Sequence, residues 1–310
     1  MKNYIVASLL IFFVLCTAPL TVLNLREASS VADSNSTQEE SNVRVLQASS
    51  GNIITVDINE YLIGAVASEM PASFDEEALK AQAVACYTYL LWTRKNADNP
   101  EKAISDITDD SNIHQGFSDK SRLKEMWGKK YDLYYQKISD AVESVKDEYI
   151  QYNGEPINAV FHGLSYGKTN SSEEIWSEAL PYLISVEAPG DKLSSDLISE
   201  YKTTKSKLLQ AAKASDTDEI IVEEKTKNGF IRSLRIGSRI FSSAEIRSLL
   251  SLKSPNFTIK INGENVIFTL HGKGHGLGMS QYSADFMARQ GSDYKDILLH
   301  FYPGTEIVKD

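Results

Sequence analysis

Three Asn-Gly pairs punctuate the second half of the chain, Asn153-Gly154, Asn228-Gly229 and Asn262-Gly263, each between apolar, β-branched runs. An Asn-Gly pair accepts positive φ at both central positions of a two-residue turn, and such a turn joins neighbouring antiparallel strands. Parallel strands need a long crossover instead. With helical patterns lying between the hairpins, the pattern predicts an α+β fold rather than a doubly wound parallel sheet: a single ectodomain of antiparallel hairpins and packed helices.

That ectodomain starts well inside the chain. Lys2 precedes an almost uninterrupted apolar run from Tyr4 to Leu23, which as a helix rises roughly 30 Å, the thickness of a bilayer core. Cleaved signal peptides carry a shorter apolar region and a small-x-small site. Here the small residues come late, around Ala28 to Ala32. The reading is an uncleaved transmembrane anchor over residues 1–25, with a cleaved signal as the alternative. Either leaves the bulk of the chain outside the cytoplasm. Residues 26–42, rich in Ser, Asn, Glu and Gln, form a flexible linker, and the folded domain spans 43–310.

Within the domain, Val43–Gln47 and Asn52–Asp57 flank Ser49-Ser50-Gly51 as a first hairpin. Asp57 and Glu60 make a capping box for a helix from Ile58, and Pro71 obliges it to end at or near Glu69. Ser73 and Glu76 make another, opening a helix with Leu79, Ala83, Cys86 and Leu90 on one face. A polar loop follows over Asn96–Asp119, then a helix over Arg122–Lys146 broken near Gly128. Ser242 and Glu245 cap a helix to about Leu250. Ser292 starts a last one, stopped by Pro303-Gly304.

A net charge of −10 argues against nucleic acid, which calls for a basic face. Sugars remain open, being held by hydrogen bonds and aromatic faces, and fifteen Tyr and three Trp suit that use. Beyond the apolar run Cys86 stands alone, so neither an internal disulfide nor a multi-cysteine metal site is available. No cofactor is expected.

Three segments carry candidate chemistry. Glu69 sits at a helix C-terminus, where the negative end of the dipole disfavours a carboxylate and raises its pKa, as a general acid requires. His271-Gly-Lys-Gly-His-Gly-Leu-Gly-Met279 has four glycines in nine residues, a run that brings main chain against a ligand or another segment. Its His271 and His275 lack the helix that would align them on a metal, and it fails as a phosphate loop. In Phe161-His-Gly-Leu-Ser-Tyr-Gly-Lys-Thr169, Ser165 and His162 match the short Gly-x-Ser-x-Gly pattern, but no strand-turn-helix follows. Substrate binding or a structural turn fits this segment better than a serine nucleophile.

Together these segments resemble the stage II sporulation protein D family. The resemblance rests on Glu60-Tyr-Leu-Ile-Gly-Ala-Val-Ala-Ser-Glu-Met-Pro71 with Glu77-Ala-Leu-Lys-Ala-Gln-Ala-Val84, and on Phe161–Thr169 with Glu174-Ile-Trp176 and Pro181-Tyr-Leu183. Gly274-His-Gly-Leu-Gly-Met-Ser-Gln-Tyr282 and His300-Phe-Tyr-Pro-Gly-Thr305 complete it, so it runs in order from about Val43 to Ile307. It implies a membrane-anchored lytic transglycosylase, working between the membranes of a sporulating cell during engulfment of the spore. Such an enzyme cuts peptidoglycan glycan strands between N-acetylmuramic acid and N-acetylglucosamine. Glu69 would be the catalytic acid and then the base for the muramic 6-hydroxyl, giving a 1,6-anhydro product without a second carboxylate. Gln82, Tyr87, Ser165, Lys168, Thr169, His275, Gln281 and Tyr282 would line the glycan cleft.

The sequence departs from the family at Tyr87, where an arginine is usual, and at Tyr166, where a glycine is usual. Where some relatives bind zinc through Cys and His, the loop after the second helix offers His114 alone, so no metal is expected. Implied partners are the glycan strands, the membrane and an engulfment machinery that includes a peptidoglycan amidase. The alternative reading is a non-enzymatic wall-binding module that stimulates such an amidase. Retention of Glu69 favours the enzyme.

Overall fold

The computed structural model describes residues 41–97, 104–110, 113–176, 178–215, 219–226 and 229–309. The apolar run and nearly all of the linker lie outside them. Among the described residues no helix is long and apolar enough to cross a membrane. The architecture is mixed helix and sheet.

β1 (Asn42–Leu46) and β2 (Ile53–Asp57) form the first hairpin, and β3 (Ile107–Thr108) adds a short strand parallel to β1. That third strand lies in the loop the sequence leaves unstructured, its two residues too few to show a period. α1 (Ile58–Glu69) starts where Asp57 accepts hydrogen bonds from the Asn59 and Glu60 amides, and ends at Glu69 because Met70, ahead of Pro71, is extended. Glu60 pairs with Lys120 instead of closing the capping box.

α2 (Glu76–Lys95) begins later than expected, capped by Asp75 rather than Ser73. It is the axle of the main core. α1, α4 (Tyr131–Ser144), α8 (Gln281–Arg289) and α9 (Tyr294–Phe301) pack on it, as does strand β4 (Glu148–Tyr152). Its buried alanines, among them Ala78, Ala81 and Ala85, let these neighbours come close. α3 (Lys120–Trp127) and α4 are the two halves of the expected broken helix, parted at Gly128, whose φ is +51°.

β4 pairs with β5 (Glu155–Pro156) through Asn153-Gly154, both at positive φ as the turn requires, and with β14 (Glu306–Lys309). The run Pro156–His162 reads in the sequence as the hairpin's second strand, but it breaks after Pro156, and β6 (Phe161–His162) pairs parallel with β13 (Met279–Ser280) in another sheet. α5 (Ser172–Trp176) follows.

Residues 198–271 build a second core of their own. β7 (Ile198–Thr204), α6 (Lys205–Ala211), β8 (Ile220–Lys225), β9 (Ile231–Ile236), β10 (Arg239–Ser242), α7 (Ser243–Leu250), β11 (Phe257–Asn262) and β12 (Asn265–His271) make two three-stranded sheets with helices against them. Leu234, Phe257 and Phe268 fill the space between. β8 and β9 form the hairpin expected around Asn228-Gly229, though Asn228 itself lies outside the described residues. At the third turn Asn262 pairs with Asn265, so the two-residue turn is Gly263-Glu264, one residue later than expected. α7 opens with the reciprocal Ser242–Glu245 capping box. α9 is capped by Asp293 instead of Ser292.

Candidate active site

A cleft of about 970 Å³ runs between the main core and the second one. One side is built from the end of α1, the face of α2 with Tyr89 and Trp92, and the segment from Ile113 to Ser118. The other comes from Asn158–Gly163, the glycine-rich run, and Arg247 with Lys253 beyond the main core.

Glu69 is the last residue of α1, and its carboxyl opens on this cleft. Oε1 accepts a hydrogen bond from the Gly116 amide, a contact that a Cβ on Gly116 would crowd. Burial raises the Glu69 pKa, and the Gly116 hydrogen bond opposes that rise without cancelling it. The direction agrees with the helix-end argument, but removal from water is the main cause. Gln281 Nε2 donates to the Glu69 carbonyl oxygen at 3.0 Å and to Gln82 Oε1 at 3.1 Å, tying α8 to the neighbouring helices α1 and α2 in one floor.

The glycine-rich run packs main chain against main chain. A Cβ on Gly278, at φ +66°, would stand 1.9 Å from the Val160 carbonyl oxygen, and one on Gly274 would stand 2.8 Å from the Cβ of His162. The run therefore sets His275 beside His162 of β6, with ring centroids 5.9 Å apart. Burial, with His162 and Arg247 beside it, pushes His275 down to about 3. His162 is lowered by burial too, partly offset by the Asp191 carboxylate and the Leu277 carbonyl. Both rings are neutral near pH 7.

Behind this wall lies a buried carboxylate the sequence did not single out. Asp191 Oδ2 accepts from the Ser165 amide and hydroxyl, both at 2.6 Å, and Oδ1 from the Ser280 and Ser283 hydroxyls, both at 2.7 Å. It joins the Ser165 turn to the start of α8.

The residues suggested by the resemblance separate into groups. Glu69, His275 and Gln281 line the cleft, and Gln82 is buried directly behind Gln281. Tyr87 is packed in the main core. Ser165 is spent on Asp191 and is no nucleophile. Thr169 bonds the main chain of Ile184 and Val186. Lys168 is exposed and paired with Glu187 at 2.6 Å. Tyr282 is half-buried, its amide bonded to the Gly163 carbonyl, and is not in the lining. Tyr166 is accommodated by stacking edge-on against His271, at 4.6 Å, and against Phe230 of the second core.

Arg122, Arg247, Lys253 and Trp92 line the cleft without any motif to mark them. With Lys273 of the glycine-rich run, the first three give the cleft basic groups on a chain of net charge −10, against Glu69 and Asp109. Trp92 and Trp176 add broad apolar faces. Among the described residues, five buried side-chain polar atoms lack a hydrogen-bond partner, and four belong to this lining: Gln115 Oε1, Asn158 Oδ1, His162 Nε2 and Arg247 Nε. Such atoms are rare in a folded interior. Their concentration here suits a ligand dense in hydroxyl and amide groups. No cluster of His, Cys, Asp and Glu suited to a metal occurs among the described residues.

The family model described as stage II sporulation protein matches residues 47–152. A stage II sporulation protein D of Bacillus subtilis is 36% identical over 295 residues, covering 93% of this chain and 84% of its own length. One from Bacillus amyloliquefaciens is 35% identical, covering 86% and 78%. An amidase enhancer of Bacillus subtilis is 26% identical over 80% of this chain, and this chain covers 40% of it.

Proposed function

From a chain that belongs to the stage II sporulation protein D family, we propose a peptidoglycan lytic transglycosylase of sporulation that cuts glycan strands and leaves 1,6-anhydro-muramic ends. One observation carries the reading: a buried carboxyl, Glu69, held protonated toward higher pH, in a cleft lined by aromatic faces and polar side chains. A protonated carboxyl shielded from water can pass its proton to a glycosidic oxygen as that bond breaks. The polar side chains of Gln115, Asn158 and Arg247 along the lining offer partners to sugar hydroxyls and acetamides, while Trp92 and Trp176 offer faces for the rings. The basic groups suit a substrate bearing carboxylates. The site is extracytoplasmic and held near the membrane by residues 1–25, and an amidase is the partner that the name of the amidase-enhancer relative suggests.

The test is Glu69→Gln, which keeps shape and hydrogen bonding but lacks the acidic proton. Peptide-stripped glycan strands are digested and anhydro ends counted by mass spectrometry. The variant should lose about 10²–10⁴ of the rate and still bind strands. Equal yields from variant and unmodified chain would exclude Glu69 as the acid. The amidase-enhancer relative supports a second reading, a wall-binding module without turnover. No product from either protein, with strands still bound, would favour it.

A further inference from the structure

The second core carries four arginines, and three of them are matched. Arg232, Arg235 and Arg239 pair with Glu224, Glu223 and Glu245. Arg247 is the exception. It lines the cleft from the last turn of α7, and its Nε is buried without a hydrogen-bond partner. Burial lowers its pKa, and no carboxylate raises it back. A basic residue near a helix C-terminus suits the dipole, but an exposed side chain serves that purpose as well. A half-buried guanidinium with no acid beside it costs folding free energy and calls for an anion that the chain does not supply.

Two lysines reach the same wall. The Arg247 carbonyl accepts the Leu252 amide at 2.9 Å, and the carbonyl of the next residue, Lys253, accepts the Gly274 amide at 2.8 Å. Lys273 precedes Gly274, and its stem lies over Gly163. Both lysines are exposed and line the cleft. Among the described residues the lining holds two acids. Glu69 is biased by burial toward its neutral form, and Asp109 accepts the Ala48 amide. His275, near enough for Arg247 to lower its pKa, is neutral and supplies no negative charge. Three cations therefore gather where little opposes them, on a chain of net charge −10.

We propose that Arg247, with Lys253 and Lys273, forms a carboxylate-binding subsite of the cleft that helps set which strands it accepts. The proposal deepens the glycan reading above and rests on it for the substrate. A guanidinium offers two parallel N–H donors that match a carboxylate, and the two ammonium groups add attraction at longer range. A muramic residue without peptide has its carboxylate on the lactyl arm. With peptide attached that carboxyl is an amide, and the carboxylates lie along the peptide. Either source presents the same chemistry to the subsite.

The experiment measures equilibrium binding by tryptophan fluorescence, with the full-length Glu69→Gln chain so that strands stay whole. Peptide-stripped and peptide-bearing strands are each tested native and after amidation with ammonia and a carbodiimide, which turns carboxylates into neutral amides. Amidation should weaken binding about 10–100-fold where the subsite reads the carboxylate. Loss with stripped strands alone assigns the lactyl arm, and loss with peptide-bearing strands alone assigns the peptide. Added to Glu69→Gln, Arg247→Met keeps the stem and should lose a similar factor on native strands, with no further loss on amidated ones. Lys253→Met and Lys273→Met should each lose about 1.5–5-fold. Equal affinity for native and amidated strands of both kinds would overturn the proposal. So would an Arg247→Met that weakens native and amidated strands alike, which is what a merely structural arginine would give. If Arg247→Met does not fold, the effect of amidation on Glu69→Gln decides. Absence of binding to every strand overturns the glycan reading and the proposal together. Carboxylate-dependent binding with no anhydro product from the unmodified chain removes the cleavage reading and leaves the subsite supported.

Discussion

Replacing Asp191 by Ala asks how much of the cleft hangs on one buried carboxylate. Asp191 is fully buried and accepts four hydrogen bonds from two segments. Three of the donors are hydroxyls and can turn to other acceptors. The Ser165 amide cannot turn, and would stay buried without a partner at a cost of about 1–3 kcal/mol. Charge-assisted bonds contribute about 1.5–3 kcal/mol each, but the variant also avoids burying a charge, so the four do not simply add. A net loss of about 3–5 kcal/mol follows. At about 2–4 °C per kcal/mol for a chain of this size, Tm should fall by about 6–20 °C in calorimetry. Asp191→Asn keeps the shape but turns an NH₂ toward donors, and should fall between the two. Glycan cleavage should drop further than stability alone explains, because Ser280 and Gln281 lose their anchor. A fall in Tm of less than about 3 °C for Asp191→Ala would refute the reasoning, since the Ser165 amide alone should cost nearly that.

Glu69→Gln should be more stable than the unmodified chain at pH 7, because the raised Glu69 pKa means the ionised form is penalised on folding. That advantage should vanish as pH falls below about 4.5, where both folded and unfolded states hold the proton, and urea midpoints across pH measure it. Gly278→Ala combines positive φ with a Cβ 1.9 Å from a carbonyl oxygen, and should cost about 2–4 kcal/mol by urea titration.

The elements that sequence located well are those whose signals are local. Asp57 and Pro71 bracket α1, Ser242 and Glu245 start α7, and Asn153-Gly154 turns β4 into β5, each within a few residues. The third hairpin was found but slipped by one residue, because Asn262 pairs across the ladder and leaves Gly263-Glu264 to make the turn. Non-local pairings were invisible. β3 is two residues long and exists because β1 offers it an edge. β6 joins β13 across more than a hundred residues, which no period in either segment announces. The same holds at the cleft. Glu69 could be singled out from a helix end, and the glycine-rich run from composition. Asp191 and Arg247 sit in unremarkable segments, and only the folded chain gives one its four donors and the other its empty flank. Tyr87 shows the converse: substitution at a motif position suggested a cleft residue, while helical spacing puts it in the core.

The second core leaves and rejoins the chain at one spot. Ile198 opens β7 and His271 closes β12, and these two residues are partners in the same ladder, with the Gly272 amide bonded to Leu197 just beyond. Such an excursion is a cassette: its ends already meet, so a short turn can seal the gap with little chain entropy lost. Arg247 and Lys253 ride on that cassette, whereas Glu69, His162 and Gln281 belong to the chassis. Grafting cassettes between relatives would therefore exchange one wall of the cleft while the opposite floor stays in register, making the span from 198 to 271 the natural unit for re-engineering what the cleft accepts.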